Sequence, residues 1–178
     1  MYELSLFILD LAQNSLTAHA SLVKIWLVES RNLNRLTVTV ADNGCGMTPE
    51  TCEKALDPFM TTKQRRRNIG LGLPFFKQLV EMCGGIFRIR SRPGIGTVVT
   101  GSFPLDNVDQ PPPGDVAGTV FALAAGNPAI DFRYTRKTDA ASHVFDTRSV
   151  RATLGPDAEA LWQTPEVLDW MRKAISDG

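Results

Sequence analysis

Leu4-Ser5-Leu6-Phe7-Ile8-Leu9-Asp10-Leu11-Ala12-Gln13-Asn14-Ser15-Leu16-Thr17-Ala18-His19-Ala20 is the stretch from which the fold can be read. Leu4, Ile8, Leu11, Ser15 and Ala18 recur at helical spacing, and Glu3, Asp10, Asn14 and Thr17 form a polar stripe beside them. The spacing predicts a helix with one core face and one edge carrying chemistry. Leu9 and Leu16 widen the apolar arc beyond a single contact, so the C-terminal part of the chain or another subunit is expected to cover that side.

Working outward, Val23 to Glu29 and Leu36 to Asp42 are rich in Val, Ile, Leu and Thr and flank a polar turn, which predicts a hairpin. Thr48-Pro49-Glu50 is an N-cap followed by Pro at the first helical position, opening a short helix to about Leu56. Asp57 to Asn68 is polar and basic without core periodicity. A second long helix is expected from about Leu71 to Cys83, stopped by Gly84-Gly85. Ile86 to Arg92 and Thr97 to Leu105 predict another hairpin around Pro93-Gly94-Ile95-Gly96. The order implies an α/β (α+β) two-layer sandwich with helices on one face of a mixed sheet.

Asn107 to Gly114, with Pro111-Pro112-Pro113, reads as a stiff linker to a small C-terminal αβ extension. In that extension Asp115 to Ala125 predicts a helix closed by Gly126. Ile130, Phe132 and Tyr134 alternate as a strand, with Val144 to Val150 as its candidate partner. A last helix follows Thr164-Pro165. The expected division is therefore 1–106, a linker over 107–114, and 115–178 as a docking or dimerisation element packed against the first helix.

With 178 residues there is room for one sizeable core and an appendage. Lys plus Arg and Asp plus Glu number 19 each, so no broad field draws the chain to nucleic acid or to an acidic membrane. Glu3 and Asp10 interrupt the apolar N-terminus and no basic segment precedes it, so a signal peptide is not expected. The three cysteines, Cys45, Cys52 and Cys83, lack paired metal-ligand spacing and suit reduced thiols in a cytoplasmic protein.

Four short motifs occur in order: Asp10-Leu11-Ala12-Gln13-Asn14, Asp42-Asn43-Gly44-Cys45-Gly46-Met47, Gly70-Leu71-Gly72-Leu73 and Gly94-Ile95-Gly96-Thr97. Each alone has an ordinary structural explanation, since Asp-Asn-Gly also makes a plain turn and Thr97 is also a plain strand residue. As an ordered set they resemble the GHKL ATPases: gyrase, the heat-shock chaperone, histidine kinases and MutL. The first two are worded most like MutL. The later ones, with Asp57-Pro58-Phe59-Met60-Thr61-Thr62-Lys63, resemble a histidine-kinase catalytic domain. The resemblance covers about residues 4 to 105 and implies the Bergerat-type ATP-binding fold.

What it implies for the site follows the chemistry of ATP. Asp42 would accept a hydrogen bond from the adenine amine, with Gly44 and Gly46 letting the backbone approach the base and with Ala18, Met47 and Thr97 also in the ATP site. Asn14 would complete Mg²⁺ coordination alongside the phosphates, the alternative being an amide that satisfies buried backbone. Asp10, one turn earlier, stands where the family's ATPases carry Glu, and would orient the attacking group or, alternatively, complement the helix dipole. Gly70, Leu71, Gly72 and Leu73 would present backbone N–H groups to the phosphates, and Lys63 would lie in a lid over them. Arg65-Arg66-Arg67 would extend that clamp or remain a solvated loop.

ATP and Mg²⁺ are the expected cofactors, and the expected activity is ATP-dependent protein kinase or ATPase. Histidine kinases carry a helical hairpin with a phosphoacceptor His before this domain. Neither His19 nor His143 resembles that acceptor, so the expected partner is a phosphoacceptor or regulated protein, with a homodimer as a further expectation and neither membrane nor nucleic acid. An anti-sigma-like Ser kinase is the near alternative, and an ATP-gated binding protein with slow hydrolysis and no phosphotransfer is the alternative from another class.

Overall fold

The computed structural model describes residues 3–59 and 72–176. Helix α1 (Leu4–Thr17) buries Leu4, Phe7, Ile8, Leu11, Ala12 and Ser15, the stripe its spacing predicts. The first amides of a helix have no partner within it. Here the Leu4 and Ser5 amides donate to the Pro112 and Pro113 carbonyls, both at 3.0 Å, so the Pro-rich segment caps the start of α1. At the other end the chain turns through His19, whose φ of 57° is left-handed, into β1 (Leu22–Ser30).

β1 and β2 (Arg35–Asp42) form the first hairpin in antiparallel register, Ile25 facing Val40 and Leu27 facing Val38. Helix α2 (Pro49–Ala55) is capped by Thr48 Oγ1, which accepts from the Thr51 amide at 3.2 Å. Helix α3 (Gly72–Met82) lays Leu73, Phe76 and Val80 onto the sheet. Phe76 packs between Phe7 of α1 and Phe103, ring centroids 5.5 and 6.1 Å away. The second hairpin is β3 (Ile86–Arg92) and β4 (Gly96–Pro104).

The remainder is α4 (Val116–Gly126), β5 (Asp131–Lys137), β6 (Ser142–Asp146), α5 (Thr147–Leu154), the one-turn α6 (Ala158–Leu161) and α7 (Pro165–Ser176). These residues extend the same sheet, whose strand order is β3-β4-β2-β1-β5-β6. β5 lies parallel to β1, Val23 facing Phe132 and Ile25 facing Tyr134, while every other pairing is antiparallel. Thus β1 is an interior strand and the sheet is mixed because of this one junction. Helix α4 packs on α1, where Leu9 and Leu16 sit against the core, and α7 packs on α4. The apolar side of α1 is covered from within the chain.

One boundary differs from the sequence expectation. β6 stops at Asp146, and Thr147 to Val150 turn into α5. Asp146 accepts a hydrogen bond from the Arg148 amide at 3.0 Å as an N-cap, and this local capping prevails over the β-branched content of the segment. Thr147 is buried, its hydroxyl accepting from the Phe132 amide and donating to Asp131, and so pins α5 to the start of β5.

Among the described residues no helix is long and apolar enough to cross a membrane. Trp162 is fully buried, donates from Nε1 to the Ala124 carbonyl at 3.2 Å and lies under the Arg151 guanidinium, 4.4 Å from the ring centroid. Trp162→Ala should destabilise the chain by about 3–5 kcal/mol, read as a lower urea midpoint with an unchanged slope.

Candidate functional site

Helix α1, the end of β2, the loop after it, α2, the first turn of α3 and the start of β4 enclose a cavity of ≈ 670 Å³. That volume is in the range of small-ligand sites. Asn14, Ala18, Asp42, Gly46, Met47, Leu73 and Thr97 all line it, together with Ser15, His19 and Cys45.

Asp42 ends β2 and is held by three donors. Ser15 Oγ donates to Oδ2 at 2.8 Å, while the Gly44 and Thr97 amides reach Oδ1 at 2.9 and 3.3 Å. These donors come from α1, from the loop after β2 and from β4, so one carboxylate joins three walls of the cavity. The Thr97 side chain is fixed in turn: its hydroxyl lies 2.8 Å from Ser91 Oγ, which also accepts from the Met47 amide at 2.8 Å. Ser15 and Ser91 hold the cavity wall together, and motif reading passed over both. Ser15 reads as a small core residue at helical spacing, and its role is visible only once the end of β2 is set against α1.

The loop after β2 fits closely against its neighbours. The Cys45 amide donates to the Ala18 carbonyl at 2.8 Å, and the Gly94 amide donates to the Cys45 carbonyl at 2.7 Å. A Cβ on Gly44 would stand 2.6 Å from the Ala18 carbonyl oxygen. Gly46 has φ +64°, and a Cβ there would collide with the Arg92 carbonyl. Side chains at either position are excluded by backbone rather than by movable atoms.

Asn14 faces the cavity, half-buried, and among the described residues its amide has no hydrogen-bond partner. This disfavours the alternative of an amide that satisfies buried backbone. Asp10, one turn earlier, meets the start of α3: a Cβ on Gly72 would lie 2.6 Å from the Asp10 Cβ and 2.8 Å from its Oδ2. Gly72 therefore lets the N-terminus of α3 reach the carboxylate edge of α1. Desolvation there raises the Asp10 pKa above the ordinary carboxylate value. Leu73 is buried beneath that turn. Lys63, Arg65 to Arg67, Gly70 and Leu71 lie outside the described residues. His143 is remote from the cavity, its Nε2 2.8 Å from the Ala174 carbonyl, tying β6 to α7. Among the described residues no group of three or more His, Cys, Asp or Glu could hold a metal by itself.

Residues 3–107 match the family described as histidine kinase-, DNA gyrase B- and HSP90-like ATPase. The chain belongs to this family. The matched span contains α1 to α3 and β1 to β4, and with them every residue that lines the cavity. Similar proteins include the C4-dicarboxylate transport sensor protein DctB of Pseudomonas aeruginosa, 31% identical over 88 residues, covering 49% of this chain and 14% of that protein. The tetrathionate sensor histidine kinase TtrS of Salmonella typhimurium is 34% identical over 94 residues, covering 51% of this chain and 16% of that protein. The chain thus spans only a small part of the length of these relatives. A solved N-terminal domain of a DNA repair protein shares the fold, with a TM-score of 0.51 and 16% identity over 86% of this chain and 58% of that one.

Two outcomes test the geometry of this GHKL cavity. Ser15→Ala removes one of the three donors to Asp42 and should weaken nucleotide binding about three- to tenfold, measured by calorimetry, less than a lost direct contact because the acceptor itself remains. For Asp10, the raised pKa means that the folded chain holds the proton more tightly than the unfolded chain. Its stabilisation is complete below the ordinary carboxylate range and is lost as pH rises through the raised value. Asp10→Asn should therefore gain melting temperature relative to the parent at neutral pH and lose that advantage in acid.

Proposed function

We propose that the cavity binds ATP with Mg²⁺ and that the chain is a histidine-kinase-like catalytic module, transferring the γ-phosphate to a residue of a partner protein in a regulatory system. The observation that carries this reading is the Asp42 carboxylate, fixed by Ser15, Gly44 and Thr97 in the cavity wall, where it would accept from a base amine. Asn14 also lines it, its side chain without a hydrogen-bond partner among the described residues, and α3 begins beside Asp10. Adenine at Asp42 and phosphates toward the start of α3 is the orientation that satisfies both.

In that arrangement Asn14 would hold Mg²⁺, which offsets phosphate charge when bound and is held by one or two protein oxygens together with the phosphates rather than by a protein cage. The α3 N-terminus would offer the positive end of its dipole to the same anions, and Gly70, Leu71 and Lys63 would complete the phosphate side of the proposal. The bond from the γ-phosphorus to the β,γ-bridging oxygen breaks, ADP leaves, and the phosphoryl group joins a side-chain nitrogen or oxygen of the partner. Asp10, beside the phosphate end, takes the proton of that nucleophile. A histidine acceptor and an anti-sigma-like serine acceptor both fit this chemistry.

A second reading is favoured by α4, which packs directly on the helix that carries Asp10 and Asn14. In it ATP sets the conformation seen by a partner or second copy through residues 115–178, hydrolysis is slow and no phosphate is transferred. Residues 1–106 are then the nucleotide module, 107–114 its linker and 115–178 the docking or dimerisation element.

Asp42→Asn turns an acceptor into a group that also donates toward the base amine, and should cost roughly tenfold to a hundredfold in ATP affinity. Asn14→Ala should weaken Mg²⁺-dependent ATP binding while leaving adenosine binding unchanged; equal losses would make Asn14 structural. In single turnover with γ-labelled ATP and the proteins encoded beside this chain, label on protein supports phosphotransfer. Label released only as phosphate supports the second reading.

A further inference from the structure

The helices cover one face of the sheet, where Val23, Ile25, Leu36, Val38, Phe103, Phe132 and Phe145 are buried, and the residues alternating with them point to the other face. That second face is strongly cationic although the chain as a whole is neutral. Lys24, Arg88, Arg90, Arg133 and Lys137 all belong to it by strand alternation and register. Among the described residues none of these five makes an ion pair. The acids in register on the same face are Asp131 and Asp146, and each is already bound to an arginine outside this group, Arg151 at 3.0 Å and Arg148 at 2.6 Å.

The register sets like charges side by side. Lys24 and Arg133 are direct neighbours across the parallel β1–β5 pair, where like charges repel. Arg133 also faces Asp146 on β6 and adds to its stabilisation, but the hydrogen bonds of that carboxylate go to the Arg148 fork. Across the face, in register with Arg88 of β3, runs a row formed by Thr100, Thr39, Trp26 and Thr135 on β4, β2, β1 and β5. Ile86, Val98 and Val144 stand exposed around it, at 46%, 39% and 46%. At the usual strand spacing, β3 and β5 are about 19 Å apart, wide enough for one helix of about 10–12 Å diameter with charge on both flanks.

We propose that this open sheet face docks an acidic amphipathic helix of a protein partner. Its apolar seam lies over Trp26 and Val98, and carboxylates on its two flanks meet Arg88 and Arg90 on one side and Lys24 and Arg133 on the other. Exposed apolar side chains beside arginines are the composition of a protein interface. Single-stranded nucleic acid on a sheet is instead held by a series of stacked aromatic rings. Among the described residues this face has Trp26 alone, half-buried. Docking here does not require phosphotransfer, because the nucleotide cavity opens on the helical side.

The test uses the full chain and a fluorescein-labelled helical peptide with a Leu/Val seam flanked on both sides by Glu, its Gln-for-Glu counterpart, and an oligothymidine of similar length. Anisotropy should show saturable, salt-sensitive binding of the Glu peptide and at least about tenfold weaker binding of the Gln peptide. Arg88→Ser with Arg90→Ser, and separately Lys24→Gln with Arg133→Gln, should each weaken the Glu peptide at least about tenfold with ATP affinity unchanged. Lys77→Ser with Lys173→Ser on the helical side should not. Lys24→Gln alone should raise the melting temperature, more at low than at high salt. No saturable binding, equal losses in the helical-side variant, tighter binding of oligothymidine than of the Glu peptide, or no salt-dependent gain from Lys24→Gln would each overturn the proposal.

Discussion

The Asp42 carboxylate is the constraint on which the site depends. Its oxygens are shared among Ser15 of α1, Gly44 of the loop after β2 and Thr97 of β4. Moving any of these elements leaves a partly buried carboxylate short of a donor, and hydrogen bonds to a charged group are about twice as strong as neutral ones. The same network continues through Thr97 to Ser91 and from there to the Met47 amide, so the loop is fixed from both ends. A rigid acceptor of this kind is preorganised: recognition of a ligand amine need not include the entropy of ordering it.

The second dependence is mechanical. Helix α1 presents Asp10 and Asn14 on one edge and packs with its apolar surface on the sheet, α3 and α4. Its first amides are capped by Pro112 and Pro113, so the segment joining the family domain to the C-terminal part is part of the helix's own start. The interior position of β1 then links the C-terminal strands to the strand register that places Asp42. A change at β5 or α4 has a short route to the cavity wall, through contacts that are packed rather than flexible.

Much of this was legible in the sequence because it is local. The stripe of α1, both hairpins, the Thr48-Pro49 helix start and the Gly84-Gly85 stop are written in spacing and caps, and the structure places their boundaries within a residue or two of the sequence reading. The membership of β5 and β6 in the same sheet was not legible, since Val23, Ile25 and Leu27 alternate identically whether β1 is an edge or an interior strand. Val144 to Val150 misled through β-branched content, where the deciding signal was Asp146 before Thr147. In the site, Asp42, Gly44, Gly46 and Thr97 were readable as motif letters. Ser15 was not, because a serine on an apolar stripe gives no sign of which carboxylate it will meet 27 residues later.

If Asp42 reads the amine of adenine, the chain must distinguish ATP from inosine triphosphate, which carries a carbonyl where ATP carries that amine. Titration calorimetry on the parent chain should find ATP bound at least about tenfold more tightly than inosine triphosphate, the value of one buried charge-assisted hydrogen bond, and Asp42→Asn should erase most of that preference. Equal affinities for the two nucleotides in the parent chain would contradict the account.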